Sequence, residues 1–342
     1  MSDQAFITYF GTVLCRTGNG SFFHCLIEEA FVPWIYTASR NILVVGNPED
    51  EQTHLMAETG MYLSAQPGGS IDFVKNYDGW EMFRPVSMEE IHSRKSMRFR
   101  IIEKNRAFRI PRVIHQVGNS KNIPESFLDN VSRIRDVNPG WDYIYWSEKE
   151  RHDFIYTYYG WDVLNAYLRI NPRYGAARAD FFRYLCIYQC GGVYMDMKSR
   201  NEIPFDNLIR DDDEYLLSQW NNGPGRQFSG FGLGPEINYI PGGEYQQWHV
   251  IATSGHPFLE NVITSILARI KNYDEPMYTV GRLGVLRVTG PYVYSASIFP
   301  ILNEHKHRFF DAEQSGLLYS CVTNHTNTFG RHYSQEFTPV VL

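Results

Sequence analysis

Apolar and polar positions along this chain follow two different rhythms, and the change falls near residue 110. From residue 1 to about 90, short apolar runs are punctuated by glycine and proline with little helical periodicity, which predicts strands. Inside that stretch GTVLCRTGNGS, from Gly11, matches GMYLSAQPGGS, from Gly60, at a constant offset, so one hairpin is used twice. Each copy carries glycine at its tip, where positive φ is needed. Beyond residue 110 strands alternate with helices, the signature of an α/β layer structure. Ile110–Val117 is an apolar strand ending at Gly118, and a helix follows Pro124 until Asn138-Pro-Gly140. Tyr143–Trp146 is the second strand. Ser147 with Glu150 makes a capping box for the next helix. Ala176–Cys190 reads as a helix from its Ala177, Phe181, Tyr184, Tyr188 stripe, closed by Gly191. The stretch GGVYMDMKS then predicts a strand ending in charge.

With 342 residues there is room for two domains: an all-β module over 1–90, a basic helical linker over 91–108 and an α/β domain over 109–342. The net charge of -6 supplies no footprint for nucleic acid. Neither a leader pattern nor a membrane-length apolar run is present, so a cytoplasmic chain without an integral membrane segment is the expectation. Five cysteines, with Cys186 and Cys190 one helical turn apart, fit reduced packing thiols.

In an open α/β sheet ligands sit at the carboxyl ends of strands, where VYMDM delivers Asp196. If the extended backbone persists, Lys198 faces the same way. Asp180 and Arg183 share one helix face, three residues apart. Alone, Asp180 with Arg183 reads as a surface i,i+3 ion pair and Asp196 with Lys198 as a polar strand end. The glycine-rich loop 221–235 is too long for a hairpin and lacks the spacing of a phosphate-binding loop; it is read as an acceptor-cleft loop or a surface loop. The Asp211–Glu214 run is read as a solvated turn.

Taken together, ADFFRYLCIYQCGGVYMD from Ala179 to Asp196 resembles the glycosyltransferases with an Asp-X-Asp sugar-binding region, family 32. That family includes mannosyltransferases related to those of yeast and, more distantly, the glucosylating domains of clostridial toxins. IPRVIHQVG, NPGWDYIYWSE, ATSGHPFLENVI and the Thr289-Gly-Pro291 turn match it in order. The amino-terminal YLSAQPGGSIDFVKNYDGWEMF resembles a fascin-like β-trefoil repeat. The resemblance implies a GT-A-type α/β fold preceded by the small all-β module, and a retaining hexose transfer from a UDP- or GDP-linked sugar to a glycan or lipid-linked acceptor. Asp180 would bind ribose or donor-sugar hydroxyls, Arg183 the sugar or diphosphate, and Asp196 would be the first motif acid. His115 and Gln116 would end the first strand beside the nucleotide, unless His115 is a satisfied core histidine.

Two residues depart from the pattern. Gly118 stands where relatives often carry a tryptophan. Lys198 stands where the second acid would hold a divalent cation, manganese or magnesium. Either the ammonium replaces part of the metal's charge, or metal is retained through Asp196 with His325, Asn327 and His332; the family resemblance favours retention. A reading of another class is a catalytically silent carbohydrate-binding protein.

Overall fold

The computed structural model describes residues 4–30, 32–36, 41–46, 52–95, 106–322 and 336–342. The amino-terminal sheet contains β1 (Gln4–Thr8), β2 (Val13–Arg16), β3 (Phe22–Cys25), β4 (Ile42–Val45), β5 (Thr53–Ala57), β6 (Tyr62–Ala65), β7 (Ile71–Val74) and β8 (Met82–Ser87). Its order is β3-β2-β1-β8-β5-β6-β7, with β4 added on β5. The two ends approach each other: Phe23 bridges Ser70, and the His24 amide donates to the Gly69 carbonyl at 2.7 Å. This sheet is therefore nearly closed. A Cβ at Gly69 would lie 2.7 Å from the His24 carbonyl, so only glycine permits that approach. β1, β2 and β3 recur as β5, β6 and β7 at the offset of the sequence repeat. A third hairpin unit, which a full trefoil requires, is not among the described residues.

Because neighbouring side chains on a strand point to opposite faces, the first copy is apolar on both sides for two reasons. Phe6 and Leu14 join Leu55, Leu63 and Phe83 in the module's own core. Ala5, Ile7, Val13 and Cys15 belong instead to the large cluster of the α/β part, with Tyr167, Leu185 and Ile266. At its edge Glu29 accepts from both Nε and Nη2 of Arg269 (2.6 and 2.9 Å), and Phe23 stacks on Tyr239 with ring centroids 4.6 Å apart. One continuous core thus ties the two parts together.

The chain continues through α1 (Met88–Lys95), β9 (Val113–Val117), α2 (Glu125–Val137), β10 (Asp142–Trp146), α3 (Glu148–Arg169), α4 (Gly175–Cys190), β11 (Gly192–Met195), β12 (Arg200–Asn201), α5 (Phe205–Leu208) and β13 (Tyr215–Leu217). It ends through β14 (His249–Ala252), α6 (Pro257–Lys271), α7 (Glu275–Tyr278), α8 (Gly281–Val288), α9 (Pro291–Ile298), β15 (Arg308–Phe309) and β16 (Leu317–Leu318). The second sheet has the order β10-β9-β11-β14-β13-β15; β9, β10 and β11 are mutually parallel, and β14 is antiparallel to β11. Parallel neighbours need crossovers, supplied by α2 and by α3 with α4. The chain leaves β9 first toward β10 and then returns to its other side as β11. This reversal opens a crevice at the carboxyl ends of those strands.

The expected capping box is present, with the Glu150 amide donating to Ser147 Oγ and the Ser147 amide to Glu150 Oε2. Gly191 caps α4 at φ 69°, and Gly192 follows at φ 95° with its Cβ position only 2.5 Å from the Val113 carbonyl. All five cysteines are free thiols. Among the described residues no helix is long and apolar enough to cross a membrane. The Asp211–Glu214 run is not uniformly solvated. Asp213 is buried against Arg308 (Nε to Oδ1, 2.8 Å), and Glu214 pairs with Arg106.

Burial pushes four histidines down: His24 and His115 to about 4, His249 and His256 to about 3. Each is neutral in the fold and must take a proton on unfolding below its ordinary value of 6.5. Their stabilisation is complete above that pH and is lost as pH falls toward 4 for His24 and His115 and toward 3 for His249 and His256, at up to about 1.4 kcal/mol per pH unit for each. Urea unfolding at pH 7 and pH 5 is expected to show a clearly lower midpoint at pH 5; an unchanged midpoint contradicts this assignment.

Candidate active site

Helix α4 is buried on almost every side, so polar groups on it must find partners inside the protein. Asp180 and Arg183 sit one turn apart on its inner face, both almost wholly buried. Arg183 Nη2 lies 2.9 Å from Asp180 Oδ1 and 2.9 Å from Asp196 Oδ1. Its Nη1 donates to the Gln247 carbonyl at 2.6 Å and also to the Gln247 side chain, while the guanidinium carbon stands 4.6 Å from the Tyr194 ring centroid. A single buried cation therefore joins the central helix to the end of β11.

Each carboxylate is completed differently. Asp180 accepts from Gln247 Nε2 (3.2 Å) and from the Thr289 hydroxyl (3.3 Å). Burial raises its pKa to about 6 against the opposing pull of Arg183. Asp196 accepts from the Tyr194 hydroxyl at 2.9 Å on the oxygen that Arg183 also holds, and its side chain remains 33 % exposed. One carboxylate anchors the cation inside; the other presents its edge to a cleft of about 1010 Å³.

The strand does not persist to Lys198, as the alternation argument required. β11 stops at Met195, and the Ser199 amide donates back to the Asp196 carbonyl at 2.9 Å, closing a turn. Buried amides pin that turn: Gln116 Nε2 donates to the Asp196 carbonyl (3.1 Å), and Asn130 Nδ2 to the Met197 and Ser199 carbonyls (3.0 Å each). Asp196 and Lys198 nevertheless both line the cleft. Lys198 is partly buried, which lowers its pKa, with the Asp196 charge acting the other way.

His115 and Gln116 lie behind this surface rather than on it. Both are buried: His115 Nδ1 accepts from the Trp146 indole (3.1 Å), its Nε2 faces the Gly191 carbonyl (3.2 Å), and Gln116 Oε1 accepts from Tyr143 (2.7 Å). They brace the strand end, because every polar atom they own is spent inside the sheet. Tyr145 fills the space a side chain at Gly118 would take, its hydroxyl donating to the Ser120 carbonyl at 3.0 Å. His325, Asn327 and His332 fall outside the described residues.

Several cleft residues had no local signal in sequence. Arg151, 2 % exposed, donates to the Gly118 carbonyl (2.7 Å) and to Asn119 Oδ1 (3.1 Å), both neutral acceptors, and lines the cleft floor. Glu244 accepts from the Trp220 indole at 2.8 Å, and its burial raises its pKa. The loop 221–235 lines the cleft, tied by Asn222 Nδ2 to the Phe231 and Gly242 carbonyls (2.8 and 3.1 Å). Its Phe228 and Phe231 cluster with Trp220 (4.8 and 5.6 Å), and Tyr319 meets the same indole at 5.0 Å. Phe231 and Leu233 stay 47 % and 57 % exposed at the cleft mouth. Among the described residues Arg151, Arg173, Arg183, Lys198 and Arg282 line the cleft against Asp180, Asp196 and Glu244, so an acidic chain carries a cleft with an excess of basic groups.

Comparison with known proteins places the same segment in context. Residues 124–215 match the family described as glycosyltransferase sugar-binding region containing DXD motif. That region holds Arg151, Asp180, Arg183, Asp196 and Lys198. The chain is 28% identical over 194 residues to inositol phosphoceramide mannosyltransferase 3 of Schizosaccharomyces pombe, covering 57% of this chain and 46% of the relative. To inositol phosphoceramide mannosyltransferase 1 of the same organism it is 35% identical over 106 residues, 30% of this chain and 32% of the relative. These alignments span less than half of either relative. Among solved structures, the UDP-bound glycosyltransferase domain from the YGT toxin is similar with a TM-score of 0.43 and 10% identity, over 68% of this chain and 84% of that one.

Removing the shared cation strands two acids in a low-dielectric setting. Arg183→Met is expected to lower stability by about 3–5 kcal/mol in urea unfolding, and adding Asp180→Asn to that variant is expected to recover part of the loss. Full wild-type stability in Arg183→Met contradicts the shared-cation reading.

Proposed function

We propose that this chain transfers a hexose, with retention of configuration, from a UDP- or GDP-linked donor to a lipid-linked acceptor. The carrying observation is the Arg183-centred arrangement that presents Asp196 at the crevice beside the parallel strands β10, β9 and β11, surrounded by an excess of basic side chains. In such a transfer a bond forms between the sugar C1 and the acceptor hydroxyl oxygen, whose proton passes to the departing diphosphate or to solvent. The bond from C1 to the diphosphate oxygen breaks with its electron pair leaving on the diphosphate. Negative charge grows there, and preorganised cations stabilise it. Asp196 accepts hydrogen bonds from donor hydroxyls with its exposed edge. Arg183, spent on Asp180, Asp196 and Gln247, positions that carboxylate rather than reaching the donor.

The relatives' names, inositol phosphoceramide mannosyltransferases, support mannose as the hexose and a glycolipid as the acceptor. The cleft mouth supports the same acceptor class. Phe231 and Leu233 offer exposed apolar surface beside the Trp220 and Tyr319 rings, which suits the apolar part of a lipid more than a sugar edge rich in hydroxyls.

A donor-hydrolysis and transfer screen with each nucleotide sugar tests the reading. Turnover is expected with one donor, and Asp196→Asn is expected to reduce it at least a hundredfold; glycan binding with no nucleotide binding would instead favour a lectin. For the acceptor side, Phe231→Ala with Leu233→Ala is expected to raise KM for a lipid-linked acceptor severalfold while leaving nucleotide diphosphate affinity unchanged. An equal loss in both would remove the lipid-facing role.

A further inference from the structure

A divalent cation implied by the family resemblance needs a set of oxygen or nitrogen donors, and the residues at this turn do not fit one. Among the described residues no group of three or more His, Cys, Asp or Glu is gathered as a metal site. Asp196 is the acid at the turn, and its Oδ1 is already shared by Arg183 Nη2 and the Tyr194 hydroxyl (2.9 Å each). At the second motif position stands an ammonium, which has no lone pair to offer and repels a cation placed beside Asp196.

Lys198 is also not a loose surface residue. Its carbonyl accepts from the Val322 amide (3.2 Å) and from Cys321 Sγ (3.2 Å), and the carbonyls on either side of it are held by Asn130. Its stem is partly buried and its side chain lines the cleft beside Asp196. The charge balance is the decisive point. An acid carrying one negative charge and a divalent cation sum to a single positive charge, which is what one ammonium carries. Replacing the pair by lysine therefore preserves the local charge facing a diphosphate while removing the ligand that would hold the ion. Lysine is a competent phosphate partner as a point charge.

We infer that Lys198 contacts the donor diphosphate directly and neutralises the leaving group in place of a divalent cation, so that this site binds and uses its donor without metal. This rests on the glycosyltransferase reading above. As the glycosidic bond breaks, the electron pair moves onto the diphosphate oxygen, where the ammonium meets it as a fixed charge; Lys198 keeps its proton throughout.

Calorimetry with UDP and with GDP on the full chain, in EDTA and in manganese, tests the inference. Affinity for the preferred nucleotide is expected to agree within about twofold in the two buffers. Lys198→Asp is expected to bind at least tenfold more weakly in EDTA and to recover in manganese, with manganese bound to the variant seen by electron paramagnetic resonance. Lys198→Arg, which keeps the charge, is expected to remain indifferent to metal. Wild-type affinity that drops tenfold in EDTA and returns with manganese overturns the inference while leaving the transferase reading intact. Binding of neither nucleotide in either buffer overturns both.

Discussion

The guanidinium of Arg183 is the constraint around which the α/β part is arranged. Burying a charged group costs several kcal/mol unless its partners replace the lost water, and here those partners come from three separate places: Asp180 on α4 itself, Tyr194 and Asp196 at the end of β11, and Gln247. Cation and acids depend on each other, because Asp180 is as deeply buried as Arg183 and would be left uncompensated without it, while Asp196 keeps one edge in the cleft. Pairing its two Nη groups fixes how the central helix, the strand and the loop before β14 meet. The exposed edge of Asp196 is what remains after the internal bonds are made.

The amino-terminal sheet contributes to the same geometry from behind. Arg287 on α8 donates to the Pro67 carbonyl at the second hairpin tip (3.2 Å) and to Glu236 just after the glycine-rich loop (2.5 Å). A Cβ at Gly68 would lie 2.5 Å from the Arg287 side chain, so the hairpin tip is shaped for this contact. The same helix supplies Arg282, Val285 and Leu286 to the cleft wall. With the shared core and the Glu29–Arg269 pair, the β-module reads as a brace for one side of the cleft. β2 and β6 are buried alike, whereas β7 of the second copy is more exposed than its counterpart β3.

Electrostatics give the cleft its direction. A chain of net charge -6 gathers five basic side chains around this cleft, where low-dielectric walls focus the field on an anion. The acceptors of Arg151 are a carbonyl and an amide oxygen, whereas Arg173 and Arg183 pair with carboxylates. A buried cation with neutral partners keeps most of its field available to a ligand.

Local information reached the elements and the central pair. Periodicity, the capping box at Ser147 and the glycines at 191 and 192 locate the helices and strands because each follows from backbone sterics within a few residues. The repeat in the first 90 residues is legible for the same reason. The spacing of Asp180 and Arg183 placed both on one helix face, and the resemblance attached Asp196 to them. What lay beyond reach was the sign of each environment. Gln116 and His115 look like strand-end ligands, yet packing around β9 covers them, where unpaired polar atoms are costly and their side chains bond internally. Arg151, Gln247 and Glu244 carry no motif and enter the cleft only when segments distant in sequence converge. The chain by itself determined which elements form and which charges lie near one turn; tertiary packing alone decided which of those charges are buried, which are shared and which face the cleft, because burial and pairing belong to the converged fold and not to any stretch of sequence.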